Sequence, residues 1–80
     1  MSKQYQAALE TVTGLADDKV IILPIRREWI TKGPEPGTYT LHSGPYNAGQ
    51  FTWLDTVHYI QRKKYSVAKL EYFNWWEIGR

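Results

Sequence analysis

The C-terminal run over residues 67–78 constrains the fold more than any other stretch, because almost every second residue belongs to one apolar set. Side chains of a β-strand alternate between its two faces, so one strand can bury this set and turn the other set outward. The set expected to be buried comprises Ala68, Leu70, Tyr72, Trp76 and Ile78. We therefore predict that residues 67–78 form the last and longest strand.

The other register of this run is aromatic at its centre and carries both signs of charge. It contains Phe73 and Trp75 between Lys69, Glu71 and Glu77. Exposed apolar patches of this kind mark binding surfaces, but the N-terminal helix could also cover this face as a second layer, so both interpretations stay open. If the face binds a partner, the predicted partner-binding residues are Phe73, Trp75, Lys69, Glu71, Arg26 and Glu28.

The 80 residues predict one domain over 1–80, in which folding hides only about 60–65% of the surface that the unfolded chain exposes. Because the chain has no cysteine, disulfides and thiolate zinc sites are excluded, and stability must come from packing of its twelve aromatic residues. The longest apolar run, residues 20–25, is too short to span a bilayer. We expect a cytoplasmic protein without membrane contact.

The remaining elements follow from local signals. Ser2 and Gly14 bracket an amphipathic helix, and Thr52 with Asp55 resembles a capping box that starts a second helix. Between these helices we predict a strand from Val20 to about Ile30, a loop over residues 31–37, a strand over Thr38–His42 and a loop over residues 43–50. The expected class is a small α+β domain of order α-β-β-α-β.

Its sheet is predicted to have three strands, antiparallel or mixed, packed with the two short helices. Because a helical crossover joins the second strand to the third, these two would run in the same direction on either side of the first. The buried set of the C-terminal run is predicted to face the helices. Alternation then places six more side chains on the same face: Ile21, Leu23, Ile25, Trp29, Tyr39 and Leu41. The opposite face would carry Val20, Ile22, Arg26, Glu28, Thr40 and His42.

Catalytic chemistry has weak support in the sequence. Asp55 and His58 are three residues apart on the second predicted helix, as in a general-base pair, and His42 with His58 could supply two metal ligands. The sequence has neither a recognisable nucleophile motif nor a third metal ligand at a telling spacing. We therefore predict a protein that is not an enzyme and uses no cofactor or metal, with a minimal endoribonuclease toxin as the less favoured hypothesis.

A nucleic-acid partner is the second hypothesis. Arg62, Lys63 and Lys64 beside Tyr65 provide cations and a stacking aromatic, and Arg26, Arg27 and Trp29 could add to this surface. The overall charge is only +2, from ten basic and eight acidic residues, and three glutamates are predicted on the aromatic face. Such mixed charge favours a protein partner over a nucleic acid.

A compact, cysteine-free α+β domain of this length with many aromatics is similar to small phage or mobile-element proteins that inhibit host defence, including anti-CRISPR proteins. The resemblance extends to size and composition and covers no motif. It implies a non-enzymatic inhibitor that occludes a nucleic-acid-handling complex in the host cytoplasm. The alternative is a small nucleic-acid-binding regulator.

Overall fold

A computed structural model describes residues 2–78, which form two helices and a five-stranded antiparallel sheet. The elements in chain order are α1 (Lys3–Thr13), β1 (Lys19–Leu23), β2 (Glu28–Lys32), β3 (Thr38–Ser43), β4 (Tyr46–Thr52), α2 (Trp53–Ile60) and β5 (Ser66–Lys69). The strands lie in the order β4-β3-β2-β1-β5. The α+β class is confirmed, whereas the prediction of three strands is wrong.

The first additional strand arises because the predicted strand from Val20 to Ile30 is a hairpin. Leu23 pairs with Glu28 across a four-residue turn, in which the Arg27 N–H donates to the Pro24 carbonyl (3.2 Å) and Arg27 has a φ of 55°. Pro24 has no N–H to donate to a neighbouring strand, which favours a turn here. The hairpin also reverses the predicted face of Trp29, which lies opposite Ile22 and therefore points away from the face that carries Ile21 and Leu23.

The second additional strand replaces the predicted loop over residues 43–50. Ser43 pairs with Tyr46 across the two-residue turn Gly44-Pro45, in which Gly44 has a φ of +62° that suits glycine. β4 then forms an edge of the sheet, where polar residues such as Asn47 and Gln50 can face solvent. Its lack of apolar alternation explains why the sequence pattern did not indicate a strand.

The helix caps are confirmed. Ser2 Oγ accepts from the Tyr5 N–H (3.1 Å), and Thr52 and Asp55 form a reciprocal capping box with distances of 3.2 and 3.4 Å. α2 carries the chain from one sheet edge, β4, to the other, β5. The strands before and after this crossover, β4 and β5, run in the same direction, as predicted, because all four neighbouring pairs between them are antiparallel. The predicted strand Thr38–His42 lies in β3, which runs opposite to β5, because a hairpin to β4 follows it and two strands instead of one separate β3 from β5.

The main core lies between the helices and one face of the sheet. It contains the buried residues Ala8, Val12, Leu15, Ile21, Leu23, Ile30, Tyr39, Leu41, Val57 and Ile60. The Tyr39 hydroxyl donates to the Val12 carbonyl (3.2 Å), which ties the sheet to α1. The N-terminal helix therefore covers this face, and the hypothesis that it covers the aromatic face is wrong.

The second face is covered by the C-terminal segment itself. β5 ends at Lys69, and the chain continues through two short 3₁₀ turns, Leu70–Tyr72 and Trp75–Glu77, instead of the predicted long strand. This segment builds a second core of Val20, Trp29 and Ile78, against which Ile22, Ala68 and Phe73 pack. Within the described part of the chain, neither helix has the length and apolar content needed to cross a membrane.

Candidate functional site

The turns that end β1 and β3 meet the C-terminal segment in a surface depression of about 470 Å³, which we call the tryptophan groove. Its lining residues are Arg26, Arg27, Ser43, Gly44, Pro45, Trp75 and Trp76. Two hairpin turns and one 3₁₀ turn supply these residues, so the groove exists only once the sheet has formed. None of these lining residues is acidic.

Buried Trp29 supports the aromatic side of the groove. The Trp29 ring, 7% exposed, stacks on Trp75 with a centroid distance of 6.0 Å and an interplanar angle of 14°. Trp76 meets Trp75 edge to face at 5.9 Å. Exposure increases outward along this stack, to 39% at Trp75 and 53% at Trp76. The groove therefore presents two indoles whose positions are set by packing underneath.

Two arginines form the polar side of the groove. Arg27 Nε donates to the Ile78 carbonyl (3.2 Å), which attaches the C-terminal segment to the first hairpin. Arg26 Nε donates to Glu28 Oε1 (2.9 Å), and the Tyr59 hydroxyl donates to the same oxygen (2.6 Å). The hydrogen bond to Glu28 raises the pKa of the exposed Arg26 guanidinium, which stays a cation throughout the accessible pH range.

The structure separates the six predicted partner-binding residues. Trp75 and Arg26 lie in the groove, Phe73 packs in the second core, and Lys69 and Glu71 are exposed near the end of β5. The assignment of Glu28 to the aromatic face is wrong, since Glu28 pairs with Leu23 and bonds Tyr59 of α2.

The predicted buried register of the C-terminal run is also wrong: Leu70, Tyr72 and Trp76 are exposed. Ala68 and Ile78 pack in the second core instead of against the helices. Ile25, assigned to the helix-covered face, is exposed at the tip of the hairpin turn. The groove residues that the sequence analysis did not propose as partner-binding include Trp76 and Arg27. The sequence did contain a signal for Trp76, because it directly follows Trp75. Two consecutive side chains of an extended chain cannot share one buried face, so both tryptophans could not be buried together in a strand.

The two histidines lie in different environments. His42 stacks on Trp29 with a centroid distance of 5.3 Å, and a hydrogen bond of 2.9 Å joins its Nε2 to Thr31 Oγ1. Burial lowers the pKa of His42. His58 is exposed on α2, where its ring contacts Tyr5 and Gln61. The proposed pairing of His42 with His58 as metal ligands therefore has no geometric support.

The proposed Asp55–His58 general-base pair is not assembled either. The Asp55 carboxylate accepts from the Thr52 N–H in the capping box, while the His58 Nδ1 lies 3.3 Å from Gln61 Nε2. Across residues 2–78, no three His, Cys, Asp or Glu side chains come together as a metal site would require.

The predicted nucleic-acid residues lie at the same end of the molecule as the groove. A second depression, the cationic cleft, has a volume of about 240 Å³ and is lined by Leu23, Ile25, Arg26, Arg62, Lys63 and Lys64. Tyr65, the predicted stacking aromatic, is half-buried and packs against the main core. Arg26 lines both the cationic cleft and the tryptophan groove, so the two depressions adjoin.

A larger depression, of about 510 Å³, lies beside the loop between β2 and β3. It is lined by Asp17 and residues 32–39. Its aromatic residue, Tyr39, is buried and bonded to α1, and Asp17 and Lys32 form an ion pair across it (3.5 Å). Because it offers no exposed aromatic anchor, we consider the tryptophan groove the better candidate site.

Comparison of the chain with protein families, with curated proteins and with solved structures gave no match. Its function is therefore inferred from the geometry of the groove and cleft.

Proposed function

We propose that this chain is a non-catalytic binding domain that docks on a protein partner through the tryptophan groove. The observation that carries the proposal is the pair of partly exposed indoles, Trp75 and Trp76, in a groove that Arg26 and Arg27 also line. Tryptophan, tyrosine and arginine supply most of the binding energy in protein interfaces, especially where they cluster in a pocket.

Preorganisation supports the proposal. Trp75 stacks on buried Trp29, and Arg27 is bonded to the backbone beside these tryptophans. Side chains already held in place lose little conformational freedom when a partner docks, so more of the contact energy appears as affinity. This is the arrangement expected of an anchor.

The surroundings of the groove favour a protein as its occupant. Exposed apolar side chains continue along the C-terminal segment to Leu70 and to Tyr72, which is 76% exposed. Glu71 and Glu77, both exposed, lie in the same segment. A phosphate backbone would be repelled by these carboxylates, whereas a protein surface with an apolar pocket next to acidic groups would complement both the indoles and the arginines.

In the cell, we propose that docking occludes a surface of a nucleic-acid-handling complex, which makes the domain an inhibitor by steric block. A cytoplasmic location and a phage or mobile-element origin belong to the same proposal. Its support is the size and composition of the chain together with an anchor site that has no catalytic group assembled in it.

The test compares two partly exposed tryptophans. Trp76 lies in the groove, while Trp53, on α2, is 38% exposed and donates from Nε1 to Thr13 Oγ1 (3.1 Å). Affinity capture from nuclease-treated host lysate is followed by titration of the purified partner. We expect Trp53→Ala to retain the partner and Trp76→Ala to weaken binding by 2 kcal/mol or more, about 30-fold, while both variants stay folded by circular dichroism.

Equal binding by wild type and Trp76→Ala would show that the groove is not the docking site. Capture of a partner from untreated lysate but not from nuclease-treated lysate would show that the protein binds a nucleic acid rather than a protein.

A further inference from the structure

We propose that the cationic cleft is a separate site that binds the phosphate backbone of single-stranded nucleic acid. The first hairpin turn and the end of α2 create it together: the turn contributes Ile25 and Arg26, and the segment after α2 contributes Arg62, Lys63 and Lys64. The proposal does not depend on the partner of the tryptophan groove, although the two sites adjoin at Arg26.

The cations of the cleft exceed what the fold requires. Lys63 has a structural role, because its Nζ donates to the Tyr59 carbonyl (2.6 Å) at the end of α2 and lies 4.0 Å from the centre of the Tyr59 ring. Arg62 and Lys64 are exposed. Interaction with the end of α2 therefore explains Lys63, whereas Arg62 and Lys64 are available to a ligand.

The acid in contact with Arg26 is already engaged. Glu28 Oε1 accepts from both Arg26 and Tyr59, so its charge is partly compensated within the fold. Two other acids, Asp17 and Glu35, lie beyond the far end of β2, where they line a different depression. The modest net charge of +2 thus conceals a concentration of cations at one end of the molecule.

An exposed apolar residue within the cleft favours anions that also carry an apolar face. Ile25 is 79% exposed, and Leu23 lies beneath it as part of the cleft wall. A ligand that fits has anionic groups next to an apolar face, as the phosphates and unstacked bases of a single strand do. In a duplex the base faces are stacked inside, so only the phosphates would be available. The volume of about 240 Å³ is smaller than the roughly 300–1,000 Å³ of small-molecule pockets, which favours one unit of a polymer.

The test measures fluorescence anisotropy of a labelled oligonucleotide of about 20 nucleotides, single-stranded or duplex, at about 50 and 150 mM salt. The full chain is compared with the double variant Arg62→Gln, Lys64→Gln. Its control, Lys3→Gln, Lys69→Gln, removes the same charge from two exposed positions outside the cleft.

We expect wild type to prefer the single strand. The Arg62→Gln, Lys64→Gln variant should bind it at least tenfold more weakly at low salt, with a salt slope reduced by about 1.4, since each contacting cation contributes roughly 0.7 for single strands. The control variant should change affinity less than twofold. Ile25→Ser should weaken binding of the single strand and leave duplex binding unchanged.

Equal losses in the two double variants would overturn the proposal, because they would reflect net charge rather than a site. Absence of oligonucleotide binding at low salt would also overturn it. If the protein instead binds only vesicles of phosphatidylserine and phosphatidylcholine, the cleft would be assigned to a membrane surface. Loss of oligonucleotide binding in Trp76→Ala, with the Arg62→Gln, Lys64→Gln variant unaffected, would place the nucleic acid in the groove instead.

Discussion

Trp29 is the residue on which both the second core and the groove depend. Its ring contacts His42, Phe73 and Trp75 at centroid distances between 5.3 and 6.0 Å. Aromatic pairs at these distances add roughly 0.5–1.5 kcal/mol each beyond the burial of their area. One buried indole therefore couples the stability of the sheet face to the position of the exposed Trp75.

His42 makes the free energy of unfolding depend on pH. Burial lowers its pKa from the ordinary value of 6.5, so as the pH falls the unfolded chain takes up the proton before the folded chain does. The contribution of His42 to the free energy of unfolding should therefore be constant above about pH 7 and fall as the pH drops from 6.5 toward the lower folded-state pKa.

Urea unfolding of His42→Gln and His58→Gln between about pH 7.5 and pH 5 tests this prediction. His42→Gln should lose less stability over this range than wild type, because it lacks the shifted group. His58 is exposed, and its variant should follow the wild-type curve. Parallel curves for wild type and His42→Gln would show that His42 does not carry the dependence.

At the scale of single elements, α2 depends most on Thr52, the residue that caps its start. It has only eight residues, too few for a stable isolated helix, and the capping box satisfies backbone N–H groups at its start. This helix also positions Tyr59 for its bond to Glu28 and ends where the cationic cleft begins. A weak start to α2 would therefore affect the cleft as well as the main core.

Thr52→Ala should lower the free energy of unfolding by about 1 kcal/mol, because Thr52 Oγ1 no longer accepts from the Asp55 N–H. Chemical denaturation followed by circular dichroism measures the change. Thr11→Ala is the control: its hydroxyl donates to the Ala7 carbonyl within α1, and alanine is a better helix former there, so the change should stay within about 0.5 kcal/mol. Equal effects of the two substitutions would contradict a capping role.

For the whole molecule, β1 is the element that both cores share. Ile21 and Leu23 face the main core, while Val20 and Ile22 face the second one. Neither core can be lost without uncovering a face of the same strand. We therefore predict that the part of the chain described by the structure unfolds as one cooperative unit.

Ile78→Ala tests this coupling, because Ile78 is buried in the second core and far in sequence from the helices. We expect a loss of about 2–5 kcal/mol, with tryptophan fluorescence and far-ultraviolet circular dichroism changing together in a single transition. Ile25→Ala, at an exposed position, should change stability by less than about 0.5 kcal/mol. A fluorescence transition that precedes the loss of secondary structure would show that the C-terminal segment unfolds separately.

Local signals in the sequence determined the parts of the fold that depend on nearby residues. The Ser2 cap, the Thr52–Asp55 capping box and the alternating strand over Thr38–His42 all match the structure, since each involves partners within four residues or a simple periodicity. Alternation placed Trp75 and Arg26 among the candidate binding residues, although Trp75 lies in a 3₁₀ turn and Arg26 in a hairpin turn instead of the predicted strands. Whether those residues bind a partner stays a prediction.

Tertiary structure alone decided the course of the C-terminal run. Alternation predicts an extended chain, but a strand also needs a neighbour, and β5 pairs with β1 only from Ser66 to Lys69. Lys69 lies opposite Lys19, where β1 begins, and the next N–H, of Leu70, donates to the Asp18 carbonyl (2.8 Å) in the turn before it. With no further strand to pair with, the chain folds over the uncovered sheet face, buries Ile78 and leaves Trp76 exposed. The length of β1, rather than the pattern of residues 67–78, therefore set where Trp75 and Trp76 lie.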